Sequence, residues 1–384
     1  MKTVTILGST GSIGVQSLDV TDKMGYGIAA LAANTDVNTM EKQIRKYRPA
    51  VAAMFSEGAA RELKIRVADL PVKVLSGREG VCECAVSDCD IVINSIVGMA
   101  GLEPTLCTLI KGTDLALANK ETLVAGGEIV KKQAALTGAA ILPVDSEHSA
   151  VFQCLQGMNA KKELKRVILT ASGGPFFGRT RKELEEVTVQ QALNHPNWSM
   201  GAKITVDSAS MMNKGLELIE AVHLFDVRSE DVSVVIHRES IVHSMIEYAD
   251  NSVIAQMGLP DMRIPIQYAL TYPERYESPV GQLDLCKIGK LSFYEPDYET
   301  FGCINLCRKA IGMGGLHPAA VNSANEEANR LFREGKIRFL QIEQLVSQAL
   351  YDVPQKDGFT LEDVLEADRE VRRLTNERAK KLNN

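Results

Sequence analysis

Seven short apolar runs begin near Val4, Ile28, Val51, Val72, Ile91, Asp114 and Ile141, at intervals of 19 to 27 residues. Between them lie polar, amphipathic stretches of helical character, such as Val37 to Tyr47. This alternation constrains the fold more than any other feature of the chain. Strands separated by helices form βαβ units, and right-handed crossovers lay such strands into a parallel sheet. A Rossmann-like parallel-sheet domain is therefore expected over residues 1–144.

The first run leads directly into GSTGSIG and then into a helical stretch, Val15 to Asp22. Gly8, Gly11 and Gly14 do not match the G-x-G-x-x-G form, but the physics is shared. Small residues let backbone N–H groups approach a pyrophosphate at a helix N-terminus. Thr10 and Ser12 add hydroxyl donors around Ile13. An ordinary glycine-rich turn is the alternative. The order strand, turn, helix at the first βα unit favours dinucleotide binding. A second loop, Ala118 to Glu121, also follows a strand, where the ligand crevice of such sheets lies. It offers Asn119, Lys120 and Glu121, although taken alone it reads equally as a solvated loop.

The pattern changes from Lys165 to Gly258, where strand-like runs crowd together: Val167 to Thr170, Ile204 to Val206, Val232 to Ile236, Ile241 to Tyr248 and Val253 to Met257. Asp250-Asn251 reads as a hairpin turn between the last two. A central α+β domain with a largely antiparallel sheet is expected over 145–271. Pro273, Pro279 and Pro296 mark a linker arm over 272–297. No strand signal returns after Phe301, so a small helical bundle is expected over 298–384. Thr360 and Asp363 form a capping box, and Leu361, Val364, Leu365, Val371 and Leu374 define one apolar face.

Lys plus Arg number 43 and Asp plus Glu 49, a net charge of −6 that speaks against a nucleic-acid partner. No apolar run approaches the ~18 residues of a membrane span. The chain enters a strand almost at once, which leaves no room for a leader, and its eight cysteines are scattered. Both features suggest the reducing cytoplasm. Cys82, Cys84 and Cys89 lack a fourth cysteine or nearby histidine for zinc.

Asp145-Ser146-Glu147 closes the strand that ends at Val144. Residues two apart in extended chain point the same way, so Asp145 and Glu147 can converge on a hard cation such as Mg²⁺ or Mn²⁺. Glu217, beside Asn213 and Lys214, is a third acid. Alternatively, Asp145 and Ser146 simply cap the helix that follows. Ser172, Gly173 and Gly174 follow a strand as an anion nest. Ser208, Asn213 and Lys214 suit a phosphate monoester, with Lys as the point charge. His195 and Trp198, the chain's only tryptophan, share a Pro- and Asn-rich loop that reads as a lid. His243 fits either a packed histidine or a site residue. His223 reads as a core or interface group and His317 as a turn residue.

The strings GSTGSIG, ALANKETLVAGG, PVDSEHSA, LTASGGPF, HPNWSMGAKITVDSASMMNKGLELIEA, GLPDMRIPIQYAL and GGLHPAAVNSANEEA together resemble the 1-deoxy-D-xylulose 5-phosphate reductoisomerase family. The resemblance implies an NADPH-dependent homodimer of the non-mevalonate isoprenoid pathway. Its ketose phosphate substrate rearranges by retro-aldol cleavage and aldol joining, then is reduced to 2-C-methyl-D-erythritol 4-phosphate. The metal ligands implied are Asp145, Glu147 and Glu217. Lys120 and Ser146 match contacts near the reacting carbons. Ser172, His195, Ser208, Asn213 and Lys214 match phosphate-end and substrate contacts, and Trp198 the lid. Thr10, Gly11, Ser12, Ile13, Asn119, Glu121 and Gly201 match cofactor contacts. The implied catalytic set is Lys120, Asp145, Glu147, Glu217 and His195.

Two departures stand out. Arg238 and Glu239 occupy positions where the family usually has Pro-Gln, and Ala33-Asn34-Thr35-Asp36 follows the second strand where a basic residue is common. Asp36 lies near the offset of an acid that binds the ribose of NAD, yet it can instead cap the helix beginning near Val37. Asn34 and Thr35 can then donate neutral hydrogen bonds to the 2′-phosphate of NADPH, with Lys42 or Arg45 as weaker sources of charge. The rival readings are an NAD(P)-dependent dehydrogenase that makes no rearrangement and a non-enzymatic dinucleotide sensor.

Overall fold

The structure, a computed structural model, describes residues 2–157, 160–198 and 200–382. Ser199, inside the expected lid loop, lies outside the described residues. The chain forms two compact units.

The first unit comprises residues up to Thr122, with Val130–Ser149 and Asp261–Gly281. Its strands are β1 (Thr3–Leu7), β2 (Gly27–Ala33), β3 (Val51–Met54), β4 (Lys73–Ser76), β5 (Ile91–Asn94), β6 (Asp114–Leu117) and β7 (Ile141–Pro143). All seven fall where the apolar runs place them. They pair in parallel in the order β4-β3-β2-β1-β5-β6-β7. Val4, Ile6, Leu31, Val92 and Leu115 have no exposed surface. Such strands carry helices on both faces, which is why they read as apolar runs without alternation. The order reverses beside β1, and a crevice opens at the carboxyl ends of strands at such a switch point.

One expected boundary shifts. Helix Arg263–Thr271, expected in the central segment, packs against helix Ser12–Met24 within the first unit. Arg263 reaches Asp19 at 3.1 Å, and Lys2 Nζ donates to the Leu270 carbonyl at 2.6 Å. These partners are distant in sequence, so local pattern could not reveal them.

The second unit comprises Leu123–Ile129, Ala150–Pro260 and the residues from Gln282 onward. Its strands are β8 (Leu164–Ala171), β9 (Val232–Ile236), β10 (Val242–Tyr248) and β11 (Val253–Met257), in the order β11-β10-β8-β9. The sheet is mixed. β10 runs antiparallel to both neighbours, but β8 and β9 are parallel because helices Ala202–Ala209 and Met212–Phe225 lie in the connection between them. The hairpin turn falls at Asp250-Asn251: Asn251 has φ 69, and the Asp250 carboxylate accepts from Ser252 N–H at 2.9 Å.

Ile204 to Val206, expected as a strand, belongs to helix Ala202–Ala209. Thr205, Val206, Asp207 and Ala209 are buried in that helix, and tertiary packing overrides the β propensity of three residues. The linker arm is largely irregular, with a short helix at Leu285–Ile288, and Tyr294 exchanges two backbone hydrogen bonds with Ile236 at 2.8 and 2.9 Å.

The C-terminal helices, Cys303–Met313, His317–Arg333, Phe339–Ala349 and Leu361–Leu382, do not make a separate bundle. Ile304, Phe332, Phe339 and Val371 share one core with Val167, Leu169, Leu216 and Val234. A Cβ on Gly215 would stand 2.7 Å from Cys307 Sγ, so glycine allows helices Met212–Phe225 and Cys303–Met313 to pack closely. The Thr360–Asp363 capping box forms, with Thr360 N–H donating at 2.8 Å and Asp363 N–H returning at 3.3 Å. The buried stripe of the last helix is Val364, Ala367, Val371, Thr375 and Ala379, while Leu361, Leu365 and Leu374 are half-buried. No helix among the described residues is long and apolar enough to cross a membrane.

Candidate active site

In the first unit, the candidate residues cluster on loops at the carboxyl ends of β1, β2, β6 and β7. Gly8 has φ +87, and a Cβ there would lie 2.8 Å from the Ser95 backbone. A Cβ on Gly14 would lie 2.3 Å from the Gly8 carbonyl oxygen. The turn is therefore too tight for side chains. Helix Ser12–Met24 starts at Gly11 with no side-chain cap, which leaves its first N–H groups available to an anion. Gln43, a residue that sequence reasoning missed, fixes this turn. Ser9 Oγ donates to Gln43 Oε1 at 2.7 Å, and Gln43 Nε2 donates to the Ser9 carbonyl at 2.8 Å. These features fit a dinucleotide pyrophosphate.

Asp36 caps helix Val37–Tyr47 by accepting from Thr39 N–H at 3.0 Å, while Asn34 and Thr35 are exposed. Arg45 is held by Glu41 at 2.9 Å and Asp69 at 2.8 Å, which removes it as a source of charge for a cofactor. Asn119 caps helix Lys120–Thr137 by accepting from Thr122 N–H at 2.9 Å, and its amide donates to the Gly98 carbonyl at 2.8 Å and to the Ile96 carbonyl. Its side chain thus ties the loop after β5 to the loop after β6, and Glu121 is buried beside it in sequence.

Lys120 Nζ donates to Asp145 Oδ2 at 2.6 Å, with both side chains 10% exposed. The buried His148 lies with Nδ1 3.1 Å from Asp145 Oδ1. Burial pushes the Asp145 carboxyl up, but the charge of Lys120 and the hydrogen bond from His148 outweigh it and hold it well below the usual carboxylate range. Asp145 also accepts from Glu147 N–H at 3.2 Å, so capping and ligand roles coexist in one residue. Ser146 Oγ donates to Glu147 Oε2 at 2.7 Å. An ionised carboxylate with a second acid beside a lysine fits a divalent cation such as Mg²⁺. His148 was missed, although its place three residues after Asp145 at a helix start was a usable signal.

In the second unit, the loop after β8 turns through Gly173 (φ +76) and Gly174 (φ +64). A Cβ on Gly174 would lie 2.7 Å from the Ser208 carbonyl oxygen, so the loop lies close to helix Ala202–Ala209. Ser172 Oγ is 2.9 Å from His195 Nε2. His195 Nδ1 accepts from the N–H groups of Asn197 at 3.2 Å and Trp198 at 3.0 Å, which places the ring proton on Nε2, facing Ser172. Burial, aided by the charge of Arg238, pushes His195 down to about 4, so the ring is neutral at physiological pH. Trp198 is half-buried with its ring 6.2 Å from that of His243. Gly201 is the exposed N-cap of helix Ala202–Ala209, and Ser208 is half-buried on it.

Met211 adopts the left-handed conformation (φ 61) at the head of helix Met212–Phe225. That helix presents Asn213, Lys214 and Glu217 together: Asn213 Nδ2 and Lys214 Nζ each donate to the Glu217 carboxylate. Lys214 and Glu217 are buried. Sequence reasoning missed the buried Asp207, which is 2.9 Å from Lys203 Nζ and accepts from Asn325 and Asn329 at 2.9 and 2.8 Å. His223 is half-buried, and a Cβ on Gly127 would strike its ring at 2.4 Å; His317, expected as a turn residue, is instead the buried first residue of helix His317–Arg333, with Nδ1 2.8 Å from the Gly314 carbonyl. All eight cysteines are free thiols.

A parallel sheet with an uncapped glycine turn, and with a carboxylate held ionised at a strand end, has the features of a dinucleotide-dependent oxidoreductase whose acids suit a hard cation. Comparison with known proteins makes this specific. Residues 4–127 match the family model of 1-deoxy-D-xylulose 5-phosphate reductoisomerase, and residues 141–225 and 257–374 match two models of its C-terminal domains. The reductoisomerase of Acetivibrio thermocellus is 50% identical over 97% of this chain and 98% of its own length. That of Chloroherpeton thalassium is 48% identical over 99% and 98%. A crystal structure of a DOX-P reductoisomerase in complex with NADPH, fosmidomycin and magnesium superposes with TM-score 0.96 at 40% identity, covering 100% of both chains. The Zymomonas mobilis enzyme in complex with NADPH gives 0.92 at 40% identity, over 98% of this chain and 99% of its own. The chain belongs to the 1-deoxy-D-xylulose 5-phosphate reductoisomerase family. The simple dehydrogenase and the dinucleotide sensor are thereby set aside.

Proposed function

We propose how the residues of this chain divide the work of its family's reaction, the NADPH-dependent conversion of 1-deoxy-D-xylulose 5-phosphate to 2-C-methyl-D-erythritol 4-phosphate in isoprenoid precursor synthesis. Asp145, Glu147 and Glu217 are the ligands that would hold Mg²⁺ or Mn²⁺. When bound, the ion supplies Lewis acidity at the substrate's carbonyl and hydroxyl oxygens. The observation that carries this reading is the buried ion pair of Lys120 and Asp145, flanked by His148. It keeps a ligand carboxylate ionised, so no proton need be released on metal binding.

Lys120 and Ser146 contact substrate near the reacting carbons. There the lysine's donors orient oxygens through a retro-aldol cleavage and aldol joining that precede hydride transfer. At the other end, Ser172, Ser208, Asn213 and Lys214 receive the phosphate. Neutral His195 acts as a donor through Nε2–H, the tautomer favoured by its two backbone partners. Trp198 lies on the loop that closes over substrate and excludes water. Thr10, Gly11, Ser12 and Ile13 line the pyrophosphate. Asn34, Asn119, Glu121 and Gly201 complete the cofactor contacts. The working form is a homodimer, which sedimentation equilibrium would test: a monomer at assay concentration would contradict it. The roles are tested by magnesium titration of turnover in Asp145→Asn, Glu147→Gln and Glu217→Gln. All three are expected to need more Mg²⁺ and turn over more slowly, and a variant with normal metal dependence is not a ligand mutant.

A further inference from the structure

Arg238 has no part in the division of labour above, yet it touches both loops assigned to the phosphate end. It lies in the turn between β9 and β10. Its NH1 donates to the Ser172 carbonyl and, at 2.8 Å, to the Gly174 carbonyl, so one nitrogen clasps both sides of Gly173. The guanidinium carbon lies 5.0 Å from the centroid of the Phe177 ring. The Arg238 carbonyl accepts from Asn197 Nδ2, which also donates to Ser240 Oγ at 2.8 Å. Asn197 in turn contacts His195 Nδ1 through its backbone at 3.2 Å. Neighbouring Glu239 is engaged elsewhere, by Ser292 Oγ at 2.6 Å and His237 Nδ1 at 3.1 Å. Among the described residues, Arg238 forms no ion pair, although the charge of neighbouring Glu239 acts on it.

Carbonyl oxygens repel a phosphate, and a loop can bind an anion only if these atoms face away or are covered. Arg238 covers two of them. It also stands beside a histidine that carries no charge of its own at physiological pH. We propose that Arg238 is a positioning and specificity residue for the substrate's phosphate: it locks the Ser172–Gly174 loop in its anion-accepting form and adds a fixed positive charge next to it. This rests on reading Ser172 and His195 as phosphate-end contacts.

The test is steady-state kinetics of the full-length enzyme with Mg²⁺, varying 1-deoxyxylulose 5-phosphate and NADPH separately, for Arg238→Gln, Arg238→Lys and Ser172→Ala. Loss of a charge-assisted contact predicts that Arg238→Gln raises KM for the sugar phosphate roughly tenfold. Its kcat should stay within about threefold and its KM for NADPH should not change, a split that general loosening would not give. Arg238→Lys, which keeps charge and a donor, should recover most of the loss. If Ser172→Ala raises that KM and Arg238→Gln does not, the inference is overturned and the phosphate-end reading stands. If neither raises it, both fall. If Arg238→Gln impairs kcat and both KM values together, with a lowered unfolding temperature and no rescue by lysine, the role is structural and the inference is overturned.

Discussion

The Asp36 carboxylate accepts a hydrogen bond from Thr39 N–H at 3.0 Å and so caps helix Val37–Tyr47. The Thr39 hydroxyl, and after it this N–H contact, hold the carboxyl below its usual range. An acid at this offset from a glycine turn commonly binds the ribose of NAD, but this one is oriented by its own helix. Asp36→Ala should cost about 1 kcal/mol in urea unfolding, the usual loss for an N-cap, and should not convert the enzyme to NADH. The ratio of kcat/KM for NADPH over NADH should remain above one. A lead for NADH in the native enzyme would mean that Asp36 turns to the ribose when cofactor binds.

Thr35 is exposed beside that cap, and Arg45 is held by Glu41 and Asp69. No arginine is therefore contributed from the position after β2. Thr35→Arg should increase the preference for NADPH, measured as the same ratio, and an unchanged ratio would place the 2′-phosphate elsewhere.

His243 supplies a pH dependence. Burial pushes its imidazole down to about 4, and hydrogen bonding with Leu259 and Gly258 only partly counters this. Because the folded value lies below the unfolded one, protonation favours unfolding. The contribution to stability is fully present above about pH 6.5 and is lost as pH falls toward 4, by roughly 3 kcal/mol at the low end. Urea unfolding between these limits should be flatter for His243→Gln than for the native protein. Parallel curves would remove His243 as the source.

Trp198 is the only tryptophan, and its ring lies 6.2 Å from that of His243. Closure of this loop over substrate, as proposed above, is expected to change this environment. Titration with a phosphonate mimic such as fosmidomycin should therefore alter tryptophan emission. A flat titration, with binding confirmed calorimetrically, would remove the lid.

Much of this was readable in the sequence because strands buried on both faces leave a strong apolar rhythm, and all seven runs before Asp145 became β1 to β7. Glycines 8 and 14 were legible for a related reason, since only close backbone approach demands them. What escaped was decided by partners far along the chain. Ile204 to Val206 lies in helix Ala202–Ala209, whose buried Asp207 accepts from Asn325 and Asn329, 118 and 122 residues away. The clasp of Gln43 on Ser9 and the reach of Arg238 to Ser172 and Gly174 span 34, 66 and 64 residues and leave no periodic trace. Helix Arg263–Thr271 was placed with the wrong neighbours because its anchors, Asp19 and Lys2, lie at the opposite end of the sequence.

Asp145, held ionised by Lys120 and His148, is proposed above as a metal ligand on which the rearrangement and reduction depend. NADPH oxidation driven by 1-deoxyxylulose 5-phosphate, followed across a Mg²⁺ titration in the native enzyme and in Asp145→Asn, tests that role most directly. Turnover of the native enzyme is expected to vanish after EDTA and to recover fully with Mg²⁺. The variant is expected to turn over at least roughly 100-fold more slowly, partly restored by excess metal, with NADPH binding unchanged. Turnover that survives EDTA, or a variant that matches the native metal dependence, would contradict that role.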